Sequence, residues 1–434
     1  MAMSNLKEGI DIKEEQSLSH IKKLKGFFSP ERVSLHLIQH TGKPSVPSVS
    51  KGDILKAGDK IADKSGFISS SLHSSVSGKV GSISDYNHPI LGRSKAISIE
   101  REGEDVEWRE KKEDEIVKLT SNDIIDIIED CGIVGLGGAA FPTHVKLTVP
   151  HDKRIDTLII NGCECEPYLC SDDVLMQDRP FDIIKGIELV RKVVNPDRVV
   201  VALESDKDDA LIRMRQAALK RDIDVLKIDK VYPQGAEKQL IRSLTSREIP
   251  PGGLPFDVGA LVLNVGTCFA IYEAVYKGKP LIDRYITLAG DILSEPGVYI
   301  VKIGTILKDL LEHIGGLIKE PSKIIFGGPM MGLAQASLDM PILKGTSGVL
   351  LLSKKFISNY KEYPCIKCAQ CIDHCPMRLM PTKIAHAVKH KKWDLLDEYN
   401  ILDCIECGCC SYSCPSRVPL LDYIKIGKDY LKRE

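Results

Sequence analysis

The chain has 434 residues, which is enough for about three domains with cores of their own. Its 59 lysines and arginines nearly balance its 60 aspartates and glutamates, so the formal charge of −1 gives no reason to expect nucleic acid as a partner. The hydrophobic fraction of 43% and the charged fraction of 27% are typical of a soluble globular protein.

Neither export nor membrane insertion is predicted. The first twenty residues are charged throughout and lack the apolar core of a signal peptide. The longest apolar run with few charges, LVLNVGTCFAIYEAVY at 261–276, falls short of a membrane span. We therefore expect the chain to stay in the reducing cytoplasm, where its 14 cysteines would serve metal ligation, redox chemistry or burial rather than a disulfide framework.

The first hundred residues are predicted to contain a tail and a small β-domain. Residues 1–30 are polar and predict an N-terminal tail. From 31 to 103, brief Val/Ile segments are punctuated by glycine and serine, which indicates a small barrel or sandwich. The dense charge run REGEDVEWREKKEDE at 101–115 predicts an exposed linker.

The middle of the chain, 115–283, alternates predicted strands and helices. The strands are IDTLIING, RVVVAL and VLKI, and the helices between them are PFDIIKGIELVRKVV and DKDDALIRMRQAALKRD. This alternation predicts a parallel sheet with helices packed on it. Residues 284–345 become β-rich again around one predicted helix, TILKDLLEHIGG, and from 360 to 434 cysteine dominates.

Two cysteine runs repeat 39 residues apart. They are Cys365-x2-Cys368-x2-Cys371-x3-Cys375-Pro376 and Cys404-x2-Cys407-x2-Cys410-x3-Cys414-Pro415. Each is the run of a bacterial ferredoxin, in which three thiolates on a tight loop wrap one cubane and the fourth ligates the other cluster.

The crossed pattern predicts two [4Fe–4S] clusters and hence a one-electron relay. We assign the first cluster to Cys365, Cys368, Cys371 and Cys414, and the second to Cys404, Cys407, Cys410 and Cys375. A pair of zinc sites is the main alternative, but it gives no reason for the third CxxC step or for the trailing Cys-Pro. The segment PTKIAHAVKHKKWDLLDEYN between the runs is predicted to be helical.

The glycine-rich segment GIVGLGGAAFPTHVKL contains Gly135, Gly137 and Ala140 in the spacing of a dinucleotide-binding loop. That motif requires a strand before the loop, whereas the preceding SNDIIDIIEDC has helical spacing and the strand follows at Thr157–Ile160. Consecutive glycines still allow close approach to a flat ring or a phosphate, and Lys146 adds a positive charge. We predict an anion or flavin site, with a tight structural turn as the alternative.

Polar residues at a strand end strengthen the prediction of a site. The strand TLIING ends in Asn161, which is followed by Glu164 and Glu166. Open α/β sheets bind ligands at the carboxyl ends of their strands, so this carboxylate pair is placed to hold polar groups of a nucleotide.

Six cysteines stand outside the two runs: Cys131, Cys163, Cys165, Cys170, Cys268 and Cys409. The spacing Cys163-x-Cys165-x4-Cys170 fits a metal site in principle, but buried free thiols near the predicted pocket are favoured. Cys409, which the ferredoxin rhythm skips, is expected to be a bystander beside a cluster.

Five features follow one another along the chain: GLGGAAFPTHVKL, INGCECEPY, QGAEKQL, the GGPMMG of residues 327–332, and the two ferredoxin runs. In this order they strongly resemble the RnfC family, whose members belong to the Rnf complex, a membrane-bound, ion-translocating ferredoxin:NAD oxidoreductase. The resemblance covers about residues 27–425. The middle also resembles the flavin-bearing, NADH-binding subunit of respiratory complex I.

The resemblance implies non-covalent FMN and NAD(H) as substrate. No general acid or base is expected, because hydride transfer depends on stacking and alignment. By motif, nine residues are expected to hold the flavin: Gly135, Gly137, Gly138, Lys146, Asn161, Glu164, Glu237, Asn264 and Thr267. Phe141 and Glu166 are expected to face the nicotinamide. Two positions depart from the complex I pattern, since Cys163 replaces an aspartate and Ala236 a glutamate.

The flanking domains also resemble known modules. The N-terminal stretch is similar to the family's barrel-sandwich and to lipoyl carriers, but Lys79 comes only after the hairpin glycine, so we expect a scaffold. Residues 285–316 resemble a soluble-ligand-binding β-grasp module, for which a structural or docking role is expected. The expected fold is multidomain α/β and α+β, ordered as barrel-sandwich, complex I flavoprotein-like α/β domain, β-grasp module and two-cluster ferredoxin-like helical domain.

The implied function is an NADH-binding, electron-transferring subunit, peripheral on the cytoplasmic side of the cell membrane. It would pass electrons between NAD(H), FMN, the two clusters and other Rnf subunits, namely a ferredoxin-accepting iron–sulfur subunit and membrane subunits, with ferredoxin an indirect partner. Two alternatives stay open: a soluble diaphorase subunit of cobalamin-reductase or bifurcating-hydrogenase type, and a non-catalytic wiring scaffold. The barrel-sandwich favours the Rnf interpretation, and Glu164 with Glu166 favours an enzyme over a scaffold.

Overall fold

The structure is a computed structural model that describes residues 9–15, 18, 23–357 and 361–433. The described strands form four β-sheets. The first strand, β1 (Leu24–Phe28), lies inside the segment that was predicted to be a tail.

The N-terminal domain consists of two small antiparallel sheets. Its strands are β2 (Arg32–His36), β3 (Val46–Pro47), β4 (Ile54–Leu55), β5 (Lys60–Asp63), β6 (Leu72–His73), β7 (Gly78–His88) and β8 (Gly92–Arg101). One sheet has the order β2-β8-β7-β4 and the other β3-β5-β6. Buried valines and isoleucines form its interior, and β7 and β8 form a long hairpin that turns through residues 89–91.

The α/β domain follows a mostly exposed segment, as the charge run predicted. Its helices are α1 (Glu113–Val117), α2 (Ser121–Asp130), α3 (Thr143–Leu147), α4 (Ser171–Asp178), α5 (Pro180–Val194), α6 (Asp208–Ala217), α7 (Glu237–Thr245) and α8 (Val265–Lys277). Its strands are β9 (Thr157–Gly162), β10 (Arg198–Glu204), β11 (Asp224–Ile228) and β12 (Ala260–Asn264). They form a parallel sheet in the order β11-β10-β9-β12.

The next sheet is larger than the predicted β-grasp segment. It contains β13 (Asp283–Gly290), β14 (Gly297–Lys302), β15 (Lys323–Phe326), β16 (Leu333–Gln335) and β17 (Gly348–Leu352), packed with α9 (Leu307–His313). The order β1-β14-β13-β17-β15-β16 adds one strand from each side of 284–345. The tail boundary at residue 30 is therefore wrong, because β1 pairs in parallel with β14 and becomes part of this sheet.

Short helices build the C-terminal domain. They are α10 (Gln370–Asp373), α11 (Pro381–Lys389), α12 (Leu395–Glu398), α13 (Cys409–Tyr412) and α14 (Leu420–Leu431). The segment predicted as a helix between the cysteine runs contains two separate pieces, α11 and α12. The chain turns between them at Lys391, whose φ of +53° is incompatible with a continuous right-handed helix. Among the helices that the structure describes, none is long and apolar enough to cross a membrane.

The pairing of β1 makes a prediction about two adjacent phenylalanines. Phe28 is 8% exposed and packs into the β-grasp core, whereas Phe27 is 48% exposed on the other face. We expect Phe28→Ala to lower the free energy of unfolding by about 3 kcal/mol because it leaves a cavity. Phe27→Ala, the matched control, should cost less than about 1 kcal/mol in the same denaturant titration. Equal effects would contradict the strand assignment.

Candidate functional site

A cavity of about 370 Å³ lies where β9 and β12 of the parallel sheet end. Ten of the eleven residues expected to hold FMN or to face NADH line it, namely Gly135, Gly137, Phe141, Lys146, Asn161, Glu164, Glu166, Glu237, Asn264 and Thr267. The eleventh, Gly138, lines a second cavity next to it. We call the first the flavin cavity, since its volume and its place at the strand ends are those of a cofactor pocket.

The glycine loop is fixed to the start of α8. The amide of Gly135 donates to the Phe141 carbonyl at 2.8 Å, and the amide of Leu136 donates to Thr267 Oγ1 at 2.9 Å. Asn264 Oδ1 caps α8 by accepting hydrogen bonds from two amides of its first turn. The loop therefore lies against a helix N-terminus, where a phosphate or an electron-rich ring edge is favoured.

One cation lies among the carboxylates that line the flavin cavity. Among the described residues that line it, Lys146 is the only lysine or arginine, and it is paired with Glu237. Both side chains are partly exposed, so a phosphate can reach the ammonium group by displacing the carboxylate. The residues present thus fit FMN, with Lys146 as the group that would hold its phosphate.

Asn161 joins two segments of the cavity wall. Its Nδ2 donates to the Gly235 carbonyl at 2.8 Å, and its Oδ1 accepts from the Cys163 amide at 2.9 Å. The amide of Gly235 in turn donates to Cys165 Sγ at 2.8 Å. The side chain of Asn161 therefore positions the wall rather than offering a free donor to the ligand.

Glu164 is held at the start of α4. It accepts from Ser171 Oγ at 2.8 Å and from the amide of Asp172 at 3.1 Å. Burial raises the pKa of Glu164, and burial together with the Glu164 charge raises the pKa of Asp172 to about 7. The buried Lys207, whose Nζ lies 3.6 Å from Asp173 Oδ2, provides the opposite charge. The motif comparison missed Asp172 and Lys207, although Lys207 follows the end of β10 and so belongs to the edge of the sheet that binds ligands.

Glu166 connects the α/β domain to the β-grasp module. Its Oε2 accepts from the Met330 amide at 3.0 Å, and its Oε1 accepts from the Met331 amide at 2.7 Å. Burial raises the pKa of Glu166, and these two amides oppose the rise. A Cβ on Gly328 would lie 2.1 Å from Glu166 Oε2. The GGPMMG loop therefore holds the Glu166 carboxylate, for which the only expected role was to face the nicotinamide.

The cluster cysteines form two groups. Cys365, Cys368, Cys371 and Cys414 line one cavity, and Cys375, Cys404, Cys407 and Cys410 line another. These are the sets that the crossed assignment groups together for two clusters, and Cys409 also lines the second cavity. Cys365 and Cys368 are exposed, whereas three of the four in the second group are buried.

The second cysteine group adjoins the flavin cavity. Cys407 and Ile405 line both sites, and Tyr232 Oη donates to the Cys407 carbonyl at 2.7 Å. Cys409 is fully buried beside Tyr232. Tyr232 was missed because no motif marks it, and its role follows only from the packing of distant segments.

Among the described residues, the cysteines outside the runs form no disulfide. Cys163 and Cys165 line the flavin cavity, and Cys170 is buried immediately before α4. Their placement agrees with the interpretation as buried thiols near a flavin pocket.

The chain matches family descriptions along most of its length. Residues 4–104 match the "RnfC Barrel sandwich hybrid domain", 128–273 the "Nuo51 FMN-binding domain", 285–334 the "SLBB domain" and 364–418 the "4Fe-4S dicluster domain". The C subunit of the proton-translocating ferredoxin:NAD(+) oxidoreductase complex of Clostridium ljungdahlii is 46% identical over 408 residues, which cover 93% of this chain and 88% of that relative. The chain belongs to the RnfC family.

Other relatives agree with the assignment to the RnfC family. The C subunit of the Na(+)-translocating ferredoxin:NAD(+) oxidoreductase complex of Acetobacterium woodii is 40% identical over 92% of this chain and 90% of its own length. The C subunit of the ion-translocating oxidoreductase complex of Pasteurella multocida is 35% identical over 97% of this chain, but only 51% of that longer relative is covered. The predicted multidomain fold is confirmed.

A solved structure shares the fold at low identity. It is an NAD+-reducing [NiFe]-hydrogenase in the H2-reduced state, with a TM-score of 0.50 and 18% identity over 71% of this chain and 63% of that one. The family matches give this RnfC-family chain an FMN-binding domain and a domain for two [4Fe–4S] clusters. The match to a dicluster domain rules out the alternative of a pair of zinc sites.

The crossed ligand sets predict a selective effect of Cys414→Ser. Because Cys414 lines the cavity of the first group, its loss should remove the cluster of Cys365, Cys368 and Cys371 and leave the other in place. Iron content should fall by about half, and electron paramagnetic resonance of the reduced protein should show one remaining cluster. Cys409→Ser is the matched control and should retain both. Loss of the second cluster in Cys414→Ser would overturn the crossed assignment.

The Glu166 cradle predicts the effect of a single methyl group. Gly328→Ala places a Cβ against Glu166 Oε2 and should lower the free energy of unfolding by about 2 kcal/mol through the lost hydrogen bonds. Gly26→Ala, which meets no atom within 4 Å, is the control in the same β-grasp sheet. In a Glu166→Gly background, which also removes the Glu166 Cβ that would lie 2.6 Å from the new methyl group, the effect of Gly328→Ala should largely vanish. An undiminished effect there would show that the clash lies elsewhere.

Proposed function

We propose that this chain is the NADH-oxidising, electron-transferring subunit of a membrane-associated, ion-translocating ferredoxin:NAD oxidoreductase complex. The observation that carries the proposal is the flavin cavity whose wall includes Cys407 of the second cysteine group. Bound FMN would supply the conversion between two-electron hydride chemistry and one-electron transfer, and the two cysteine groups would hold one-electron carriers.

The chain's own residues supply binding and orientation. Lys146 and the start of α8 would hold the phosphate end of FMN, and the glycine loop would lie against its ring. Glu166, which accepts hydrogen bonds from two amides of the β-grasp loop, would face the nicotinamide. Alignment of two flat rings is what hydride transfer requires, so no acid or base is assigned.

The contacts support one order for the relay. The group of Cys375, Cys404, Cys407 and Cys410 adjoins the flavin cavity, so it would take electrons first. The group with the exposed Cys365 and Cys368 would pass them on. With reduced ferredoxin as the ultimate donor, the same path would run in reverse.

The partners are proposed from the family. A ferredoxin-accepting iron–sulfur subunit would meet the exposed cluster, and membrane subunits would carry out ion movement. The chain would lie on the cytoplasmic side of the cell membrane as a peripheral subunit. The relatives' names as members of such complexes support this assembly.

The proposal is tested with the reconstituted protein, NADH and an artificial one-electron acceptor. The wild type should retain FMN and reduce the acceptor. Lys146→Met should weaken FMN binding about tenfold because it removes the phosphate's cation, as measured by flavin fluorescence. Lys153→Met, which removes a similar ion pair with Asp257 outside the cavity, should retain FMN. If the protein retains both clusters but binds no flavin and does not oxidise NADH, the proposal is wrong and the alternative of a non-catalytic wiring scaffold is favoured.

A further inference from the structure

A short N-terminal segment, residues 9–15, lies across the boundary between domains, and we call it the strap. Ile10 is 6% exposed and pairs with Tyr232 in an antiparallel bridge. The Ile10 amide donates to the Tyr232 carbonyl at 2.9 Å, and the Tyr232 amide donates to the Ile10 carbonyl at 3.0 Å. Because Tyr232 also lines the flavin cavity, the strap is attached directly to the wall of that cavity.

The first residue of the strap contacts the cluster domain. The Gly9 carbonyl lies 3.0 Å from Nδ1 of His374, which directly precedes Cys375 of the second cysteine group. Gly9 has a φ of +123°, and a Cβ there would lie 2.5 Å from the Tyr232 carbonyl oxygen. Glycine allows the backbone to approach this closely in that conformation, because it has no Cβ. The strap therefore joins the cluster domain to the α/β domain at this point.

The other end of the strap is held by polar contacts and by one buried leucine. Glu14 forms an ion pair with Lys230, with 2.7 Å between Oε1 and Nζ. The Glu15 amide donates to Tyr168 Oη at 3.1 Å. Leu18, whose amide donates to the Glu15 carbonyl at 3.0 Å, is 2% exposed and packs into the largest core. Attachment at both ends fixes the path of the residues between them.

The strap packs on an apolar cluster whose members come from the α/β domain, the β-grasp module and the cluster domain. Its buried members are Ile10, Tyr232, Cys407 and Cys409, and the partly buried residues packed against them are Ile12, Cys165, Met330 and Ile405. Ile405 and Cys407 line both the flavin cavity and the cavity of the second cysteine group. The apolar cluster is therefore part of the wall between these two sites.

The side chains of the strap alternate between this wall and solvent. Ile10 is buried and Ile12 is half-buried, whereas Asp11 and Lys13 are exposed. A period of two is typical of an extended segment with one face buried. Cys409, in the same apolar cluster, is 0% exposed. The strap thus turns two isoleucines toward the wall and two charged side chains toward water.

We propose that the strap seals the second [4Fe–4S] cluster against water and dissolved solutes, at the wall that the second cysteine group shares with the flavin cavity. Ile10 and Ile12 close the apolar cluster from outside, and the contacts of Gly9, Glu14 and Glu15 keep them there. Solvent exposure is one of the factors that set the potential of an iron–sulfur cluster, so the seal also protects the electronic properties of the relay. The seal does not depend on NADH as the electron donor.

Release of iron to the ferrous chelator bathophenanthroline disulfonate tests the seal on the FMN-loaded holoprotein without air. The wild type should lose iron in two phases, a fast one from the cluster with the exposed Cys365 and Cys368 and a slow one from the second cluster. Ile10→Asp places a carboxylate in the apolar cluster and should detach the strap. The slow phase should then become about tenfold faster and the fast phase should stay unchanged. Electron paramagnetic resonance of the reduced protein identifies the cluster that remains.

Lys13→Asp is the matched control, because it introduces the same side chain at an exposed position of the strap, and it should keep both wild-type phases. Gly9→Ala displaces the strap by a clash with the Tyr232 carbonyl rather than by a charge, and it should accelerate the slow phase in the same way. If Ile10→Asp does not assemble, Gly9→Ala decides the question. An unchanged slow phase, or equal acceleration of both phases, would overturn the inference.

Discussion

The site depends on the side chain of Asn264, at the end of the edge strand of the parallel sheet. Its Oδ1 caps α8, and its Nδ2 donates to Asp172 Oδ2 at 2.6 Å, which fixes the start of α4. Gly137 packs against it, since a Cβ there would lie 3.5 Å from Asn264 Cβ. One amide thus sets the positions of two helix N-termini and the glycine loop. The glycine loop can leave its backbone open to a ligand because Asn264 fixes the helices on which the loop rests.

The GGPMMG loop fixes neighbouring domains to one another, as Asn264 fixes neighbouring elements within the α/β domain. It holds Glu166 of the α/β domain through two amides, and Met330 also contacts the cluster domain, where its carbonyl would lie 3.1 Å from a Cβ on Gly408. The β-grasp module therefore contacts both the α/β domain and the cluster domain beside the flavin cavity, where Cys407 lines both sites. Because electron transfer is sensitive to distance, a rigid contact is more useful here than a flexible linker.

Local patterns predicted much of the fold and the site. The helix Pro180–Val194 has the predicted bounds, and the cysteines that the crossed assignment groups together line the same cavities. What escaped prediction depends on partners far away in the chain. The strand Leu24–Phe28 exists because β14 offers it an open edge, and Tyr232 matters because it reaches Cys407. Likewise, Gly138 was assigned to the flavin by motif, but packing of the barrel-sandwich puts it in the neighbouring cavity.

The exposure of Cys365 and Cys368 gives the two halves of the relay different chemical fates. The thiolates that hand electrons to a partner must lie near the surface, and the same opening admits dioxygen to the cluster they hold. The second group, buried behind Tyr232 and Cys409, is sheltered. Outside its complex, the protein should therefore lose the cluster of Cys365 and Cys368 before the cluster of the second group. A docked partner would then protect the cluster as well as receive its electrons.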